Sequence, residues 1–192
     1  MERDDLAWEE VETKHIIQNE WIDFRESTYR FPDGSVFSPY YSYSRRNYVV
    51  IVASDTEGDF ICVRQFRQGI RQVTTEFPAG GIERADGREY GDREQEAEEA
   101  LAAAKRELME ETGYASEEWR HLITIPSNAT IADNYAVVYE AKNCRKVTGQ
   151  ELDETEFLNV KLIKPDELEN MVGRGEFQQS VHVMAWLLSG KK

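Results

Sequence analysis

The chain has little with which to staple itself or to hold a soft metal. Its 192 residues include two cysteines, Cys62 and Cys144, and three histidines, His15, His121 and His182. The cysteines stand far apart with no Cys-x-x-Cys pair, which excludes a disulfide framework and a zinc knuckle. Both read as small core residues in a reducing compartment. The histidines have no ligand spacing and read as ordinary surface or core residues. Long hydrophobic runs are also missing. Val49-Val50-Ile51-Val52-Ala53 is about a quarter of a membrane span. Positive charge is scarce, because 23 Lys and Arg against 37 Asp and Glu leave a net −14. That balance repels phosphate backbones, so no nucleic-acid partner is expected. The opening Met1-Glu2-Arg3-Asp4-Asp5 has the opposite charge character to a signal peptide. The expectation is a cytoplasmic protein with no membrane partner.

What is present suffices for a core. Hydrophobic residues make up 40% of the chain and aromatics 11%, enough to fold without a metal or disulfide. The length implies roughly one domain with a small appended element. Phe31-Pro32-Asp33-Gly34-Ser35 is a turn set by Pro and Gly chemistry, separating the aromatic-rich Glu20–Tyr29 and Val36–Tyr43. Asn47–Ala53 and Phe60–Phe66 read as buried strands joined at Asp55–Gly58, and Gln72–Phe77 as a third strand. Pro78-Ala79-Gly80-Gly81 then reads as a forced loop. Further strands are expected at His121–Ile125, Tyr135–Ala141 and Phe157–Ile163, with helices at Asp166–Val172 and Gln178–Leu188. Residues 1–45 form an N-terminal β element and 46–192 the main domain. Strands interleaved with helices on two faces predict an α+β protein, an α/β/α sandwich with a mixed sheet, plus an N-terminal antiparallel sheet.

Residues 83–118 differ in character. Thirteen acidic and five basic residues give −8, more than half of the net charge. Asp92-Arg93-Glu94-Gln95 resembles a capping box, the alanine-rich run after it favours helix, and Gly113 is a C-terminal stop. Leu101, Ala104 and Leu108 share a face that should pack on the sheet. Further along, at about 100° per residue, Glu107 and Glu111 lie about 40° apart and Glu110 about 60° to the other side of Glu107. Three carboxylates therefore share a stripe at the C-terminal end of the helix, where repulsion and the dipole both disfavour anions. A hard cation, Mg²⁺ or Mn²⁺, would neutralise them.

Arg106-Glu107-Leu108-Met109-Glu110-Glu111-Thr112-Gly113-Tyr114 fits Arg-Glu-apolar-x-Glu-Glu-x-Gly-apolar throughout, with Glu98 seven residues clear of Arg106 and a Gly-rich loop upstream. The pattern resembles the box of the Nudix hydrolases, which cleave nucleoside diphosphates linked to another moiety. By that resemblance Glu107, Glu111 and the Ala79 main chain hold the divalent ions, with Glu110 as auxiliary, and Arg106 positions carboxylates. One departure is a spacing about twelve residues too long between Gly80 and Glu98. It makes 84–95 an insertion, read as a lid or dimer-contact loop, and sets Glu89 against Glu98 for the first acidic role.

The resemblance extends to Val63-Arg64-Gln65-Phe66-Arg67, Thr75-Glu76-Phe77-Pro78-Ala79-Gly80, Asn19-Glu20-Trp21 and Tyr29-Arg30-Phe31-Pro32-Asp33-Gly34. These are similar to the ADP-ribose pyrophosphatase branch, in which the N-terminal sheet exchanges between subunits of a homodimer. The branch implies that Arg67 and Arg45, or its neighbour Arg46, meet phosphates. It also implies that Glu76 meets a polar edge of the nucleotide and that Trp21 stacks on the base. The general base then comes from Gln150–Phe157, with Glu154 and Glu156 as alternatives. Where the branch usually carries a Ser-Pro-Gly-like loop, this chain has Ile125-Pro126-Ser127-Asn128-Ala129-Thr130, with Asn128 in the expected slot and Asn134 nearby to read the distal sugar. The implied substrate is ADP-ribose, with GDP-mannose next, and the alternative is a ligand-binding module without turnover.

Overall fold

The computed structural model describes residues 5–83, 93–154 and 156–190. Among these residues there are eleven strands and three helices, beginning in the order β1 (Glu9–Gln18), β2 (Asp23–Arg30), β3 (Val36–Ser44), β4 (Tyr48–Asp55), β5 (Phe60–Arg67), β6 (Gln72–Glu76) and β7 (Ala79–Gly81). There follow α1 (Arg93–Thr112), β8 (Tyr114–Ala115), β9 (Glu118–Pro126), β10 (Tyr135–Lys146), β11 (Leu158–Ile163), α2 (Pro165–Gly173) and α3 (Ser180–Ser189). By internal contacts the chain divides into two compact units. One holds Met1–Arg46 with Pro126–Tyr135, the other Asn47–Ile125 with Ala136–Lys192.

The first unit is an antiparallel three-stranded sheet, β1-β2-β3. It is aromatic rather than deeply buried. Trp8 meets the rings of Tyr29, Phe31 and Tyr40 at centroid distances of 5.8, 4.4 and 5.9 Å. The 126–135 segment is laced to β3 and its neighbours. Tyr43 N–H donates to Ile131 O at 2.8 Å, and Tyr43 bridges Ala132. The Tyr40 hydroxyl donates to Thr130 O, Asp133 accepts from Arg25 and Ser44, and Asn134 donates to Arg46 O.

The second unit is built on an eight-stranded mixed sheet with spine β11-β5-β4-β10-β8. Strand β6 extends from β5, β7 from β4 and β9 from β10. Strands β4 and β10 are parallel, and the other pairings of β4 and β5 are antiparallel. The β-branched run of β4 is buried on both sides, as a central strand between two layers requires. Val49, Ile51 and Ala53 join Ala100, Ala104 and Leu108 of α1 in one core. Val50 and Val52, one residue out of phase, join Phe77, Leu168 of α2 and Ala185 of α3 in the other. The period of two thus assigns α1 to one face and α2 and α3 to the opposite face, giving the α/β/α sandwich. Leu101 packs partly buried against the first core. Cys62 and Cys144 are buried and free, and burial pushes the Cys144 thiol up to about 11.

Three elements depart from the sequence reading. Strand β1 is continuous over Glu9–Gln18, where the sequence pattern does not set a strand apart from turns. The loop after β6 contains β7, where Val49 pairs with Gly80 and Val50 with Ala79. The short β8 pairs with the end of β10. Of the expected 84–95 insertion, 84–92 lies outside the described residues, as do Glu89 and Asp92, whereas Arg93–Gln95 belongs to the first turn of α1. Among the described residues, no helix is long and apolar enough to cross a membrane.

Candidate active site

Helix α1 stops because Gly113 takes φ of 75°, its N–H donating to Met109 O at 2.7 Å. The last two turns carry the acidic stripe. Glu107 and Glu111 are 6% and 2% exposed, and Glu110 is half-buried. Arg106 holds two of the three together, donating to Glu107 Oε1 and Glu110 Oε2 at 2.6 Å each, and to Gly81 O at 3.2 Å. Glu98 is exposed and, nine residues before Glu107, lies about half a revolution away around the helix.

The stripe faces β7, and β7 has the composition to receive it. A Cβ on Gly80 would stand 1.9 Å from Glu107 Cδ, so only glycine leaves room for that carboxylate. One residue earlier, Ala79 N–H donates to Glu111 Oε2 at 3.1 Å. Burial pushes Glu107 up to about 7 against the pull of Arg106, and the charges of Glu110 and Glu156 add to the rise. Burial and the Glu107 charge hold Glu111 well above the usual carboxylate range. The Ala79 N–H and Arg67 lower it, and Glu156 raises it. Two desolvated like charges at a helix C-terminus call for an added cation.

The loop after β10 supplies Glu156. It is half-buried, whereas Glu154 is exposed and Thr155 lies outside the described residues. Glu156 Oε2 accepts from Asp153 N–H at 3.2 Å, and Glu156 N–H returns a bond to Asp153 O at 2.9 Å. The charge of Glu156, not that of Glu154, is among those felt by both Glu107 and Glu111.

On the other side of the β6–β7 junction, Glu76 is wholly buried. Arg67 grips it side-on, Nε to Oε1 at 2.9 Å and Nη2 to Oε2 at 3.0 Å, and Thr74 adds a hydroxyl at 3.0 Å. Such a bidentate pair is the geometry that makes a buried carboxylate tolerable. Arg67 remains 35% exposed, so its guanidinium is both anchored and accessible. His182 of α3 lies beneath. Its Nδ1 accepts the Phe77 N–H at 3.1 Å, which leaves the proton of a neutral ring on Nε2, 4.0 Å from Glu76 Oε2. In the sequence His182 reads as an ordinary residue, because nothing local links it to a backbone 105 positions away.

The remaining expected residues belong to the first unit. Trp21 is 71% exposed after a turn capped by the Asn19 side chain, and Arg45 and Arg46 are exposed beyond β3. Asn128 accepts two backbone N–H groups in its own loop through its main chain, and Asn134 is buried. His15 pairs with Asp23 and His121 with Thr124.

The donor set fits a divalent cation. Among the described residues, no three His, Cys, Asp or Glu side chains form a ready-made cage. Mg²⁺, however, is usually held by one or two carboxylates together with substrate phosphates rather than by an all-protein cage. Glu107 and Glu111, buried and open to Gly80, are such a pair.

Known proteins share this fold and sequence pattern. The NUDIX domain family matches residues 44–187. A methanol dehydrogenase activator of Bacillus methanolicus is 29% identical over 138 residues, 71% of this chain and 68% of that protein. An ADP-ribose pyrophosphatase of Bacillus subtilis is 30% identical over 125 residues, 65% of this chain. The matched part spans 61% of the latter, less than two thirds of its length. In three dimensions, the crystal structure of an ADP compounds hydrolase superposes with a TM-score of 0.78 at 18% identity, covering 97% of this chain and 94% of that one. With its box, its sandwich and a family match over most of its length, the chain belongs to the Nudix hydrolase family.

Proposed function

We propose that the protein hydrolyses the pyrophosphate bond of ADP-ribose or a related nucleoside diphosphate sugar, releasing a nucleoside monophosphate and a sugar phosphate. The observation that carries this reading is the pair of buried carboxylates, Glu107 and Glu111, set against the Ala79-Gly80 backbone. The ADP-ribose pyrophosphatase relative supports the substrate class.

Glu107, Glu111 and the Ala79 main chain would hold Mg²⁺, or Mn²⁺ in its place, with Glu110 auxiliary. Such an ion supplies positive charge to a pyrophosphate and acidifies a water molecule. The protein supplies the rest. Arg106 fixes Glu107 and Glu110 through its two 2.6 Å bonds. Arg67, aimed by Glu76, offers its outer N–H groups to a phosphate. Glu156 is the base that takes the proton of the attacking water. It is preferred over Glu154 because it is the more buried of the two and its charge is felt by both Glu107 and Glu111. Trp21 is the base-stacking residue and Arg45 a phosphate contact, in a cytoplasmic homodimer.

The test is a panel of ADP-ribose, GDP-mannose, other nucleotide sugars and dinucleotides, with and without Mg²⁺, with products identified by mass. One preferred substrate giving a monophosphate only with metal is the expected result. Tight binding without turnover would favour a regulatory module, a role that the name of the dehydrogenase-activator relative supports.

A further inference from the structure

A helix leaves its last carbonyls without partners inside the helix, and something must receive them. At the end of α1, the loop leading to Glu156 does so at successive levels. Gly113 O accepts from Val147 N–H at 2.8 Å and from Thr148 N–H at 3.2 Å. Glu110 O accepts from Glu151 N–H at 2.9 Å. Glu111 O accepts from the Gln150 side-chain amide at 2.8 Å. Gly113 makes the approach possible, since a Cβ there would stand 2.3 Å from Thr148 O. Two of the carbonyls so engaged belong to Glu110 and Glu111, members of the acidic stripe.

We infer that Gln150 is a positioning residue, its amide fastening the loop that carries Glu156 to the backbone of the helix that carries Glu107 and Glu111. This rests on the reading of Glu156 as the base. The distance along the chain is short. Glu156 follows Gln150 by six positions, and the reciprocal Asp153–Glu156 bonds take up part of that slack. Displacing the fastener therefore displaces the carboxylate.

The residue type is also the one the chemistry asks for. A neutral amide donates to the carbonyl without adding charge beside Glu107, Glu110 and Glu111. Glutamate at the same place could not donate and would add another anion, whereas lysine or arginine would compete with a cation for the carboxylates. Gln150 is itself exposed, so its loss leaves the cores intact.

The experiment compares wild type, Q150A, E156Q and Q150A/E156Q with ADP-ribose and Mg²⁺. Melting temperature and amide hydrogen exchange over 147–156 are followed in the metal-free proteins. Q150A is expected to lower kcat about ten- to a hundred-fold, the scale of a misplaced catalytic group, with KM and melting temperature nearly unchanged. Exchange at Glu151 and Glu156 should be faster, and the double variant should be no slower than E156Q. If E156Q is slow but Q150A turns over normally, exchanges normally, or loses rate additively with E156Q, the positioning role is overturned and the base stands. If E156Q turns over normally, or if wild type leaves ADP-ribose intact, the reading beneath it falls and the inference falls with it.

Discussion

Glu76 and Glu111 are both sealed from solvent, at 0% and 2% exposure, yet the fold treats them in opposite ways. Around Glu76 every need is met from within: Arg67 in two bonds, Thr74 in a third, and His182 close by. The Glu111 carboxylate accepts from the Ala79 N–H and lies beside another buried carboxylate. A burial pattern alone would call both of them core residues. The partners tell them apart: the first is a finished ion pair, and the second is left for the proposed cation to complete.

The largest effect should come from breaking the unfinished side. E111Q is expected to lose about a thousand-fold in kcat, or ~4 kcal/mol of transition-state stabilisation. Its melting temperature without metal should be equal to or above wild type, because a desolvated charge has gone. Steady-state kinetics and calorimetry on the same sample check both, and near-normal turnover would overturn the assignment.

Breaking the finished side should do the reverse. E76A leaves Arg67 without its partner and should destabilise the fold by about 3 kcal/mol, read as a lower denaturant midpoint. If E76A proves neutral while E111Q is destabilised, the comparison is inverted.

His182 sharpens the contrast through pH. Burial and the Arg67 charge push its pKa from 6.5 down to about 3. The unfolded chain therefore takes up the proton first as pH falls. The stability this group contributes is full above about 6.5 and is lost on acidification toward 3, by at most about 1.4 kcal/mol per pH unit. H182Q should remove that part of the acid slope in melting temperature between pH 6.5 and 4, and an unchanged slope would place the sensitivity elsewhere.

The smallest effect concerns glycines with similar backbones in different surroundings. Gly113 and Gly175 have φ of 75° and 70°, but only Gly113 has an atom where a Cβ would go. G113A should cost about 1–2 kcal/mol more than G175A, measured by denaturant unfolding.

The acidic stripe was legible because its members are three and four residues apart on one helix, and helical geometry converts that spacing into proximity. Strand β4 was legible because a β-branched run has few other homes. Strand β1 was not, since nearly all of Glu9–Gln18 is exposed and no apolar alternation marks it. Nor was β7, whose Ala79-Gly80-Gly81 reads as a turn until Val49 and Val50 are seen pairing with Gly80 and Ala79, far along the chain. Glu154 and Glu156 could not be separated in sequence, because their different burial depends on the path of the loop after β10, which no local pattern fixes. Gln150 and His182 carry no local signal at all, as each acts on a backbone remote from its own.

The loop between β9 and β10, bonded through Tyr40, Tyr43, Ser44 and Arg25, has a practical consequence for anyone cutting the gene. The first compact unit is written in two pieces, so removing residues before Asn47 would not excise it. Such a truncation would strand ten residues, Pro126–Tyr135, in the connection from β9 to β10 without the partners they have in the first unit. A clean deletion has to replace that loop with a short hairpin at the same time, and a chimera that borrows the N-terminal strands from a relative has to borrow its matching loop as well.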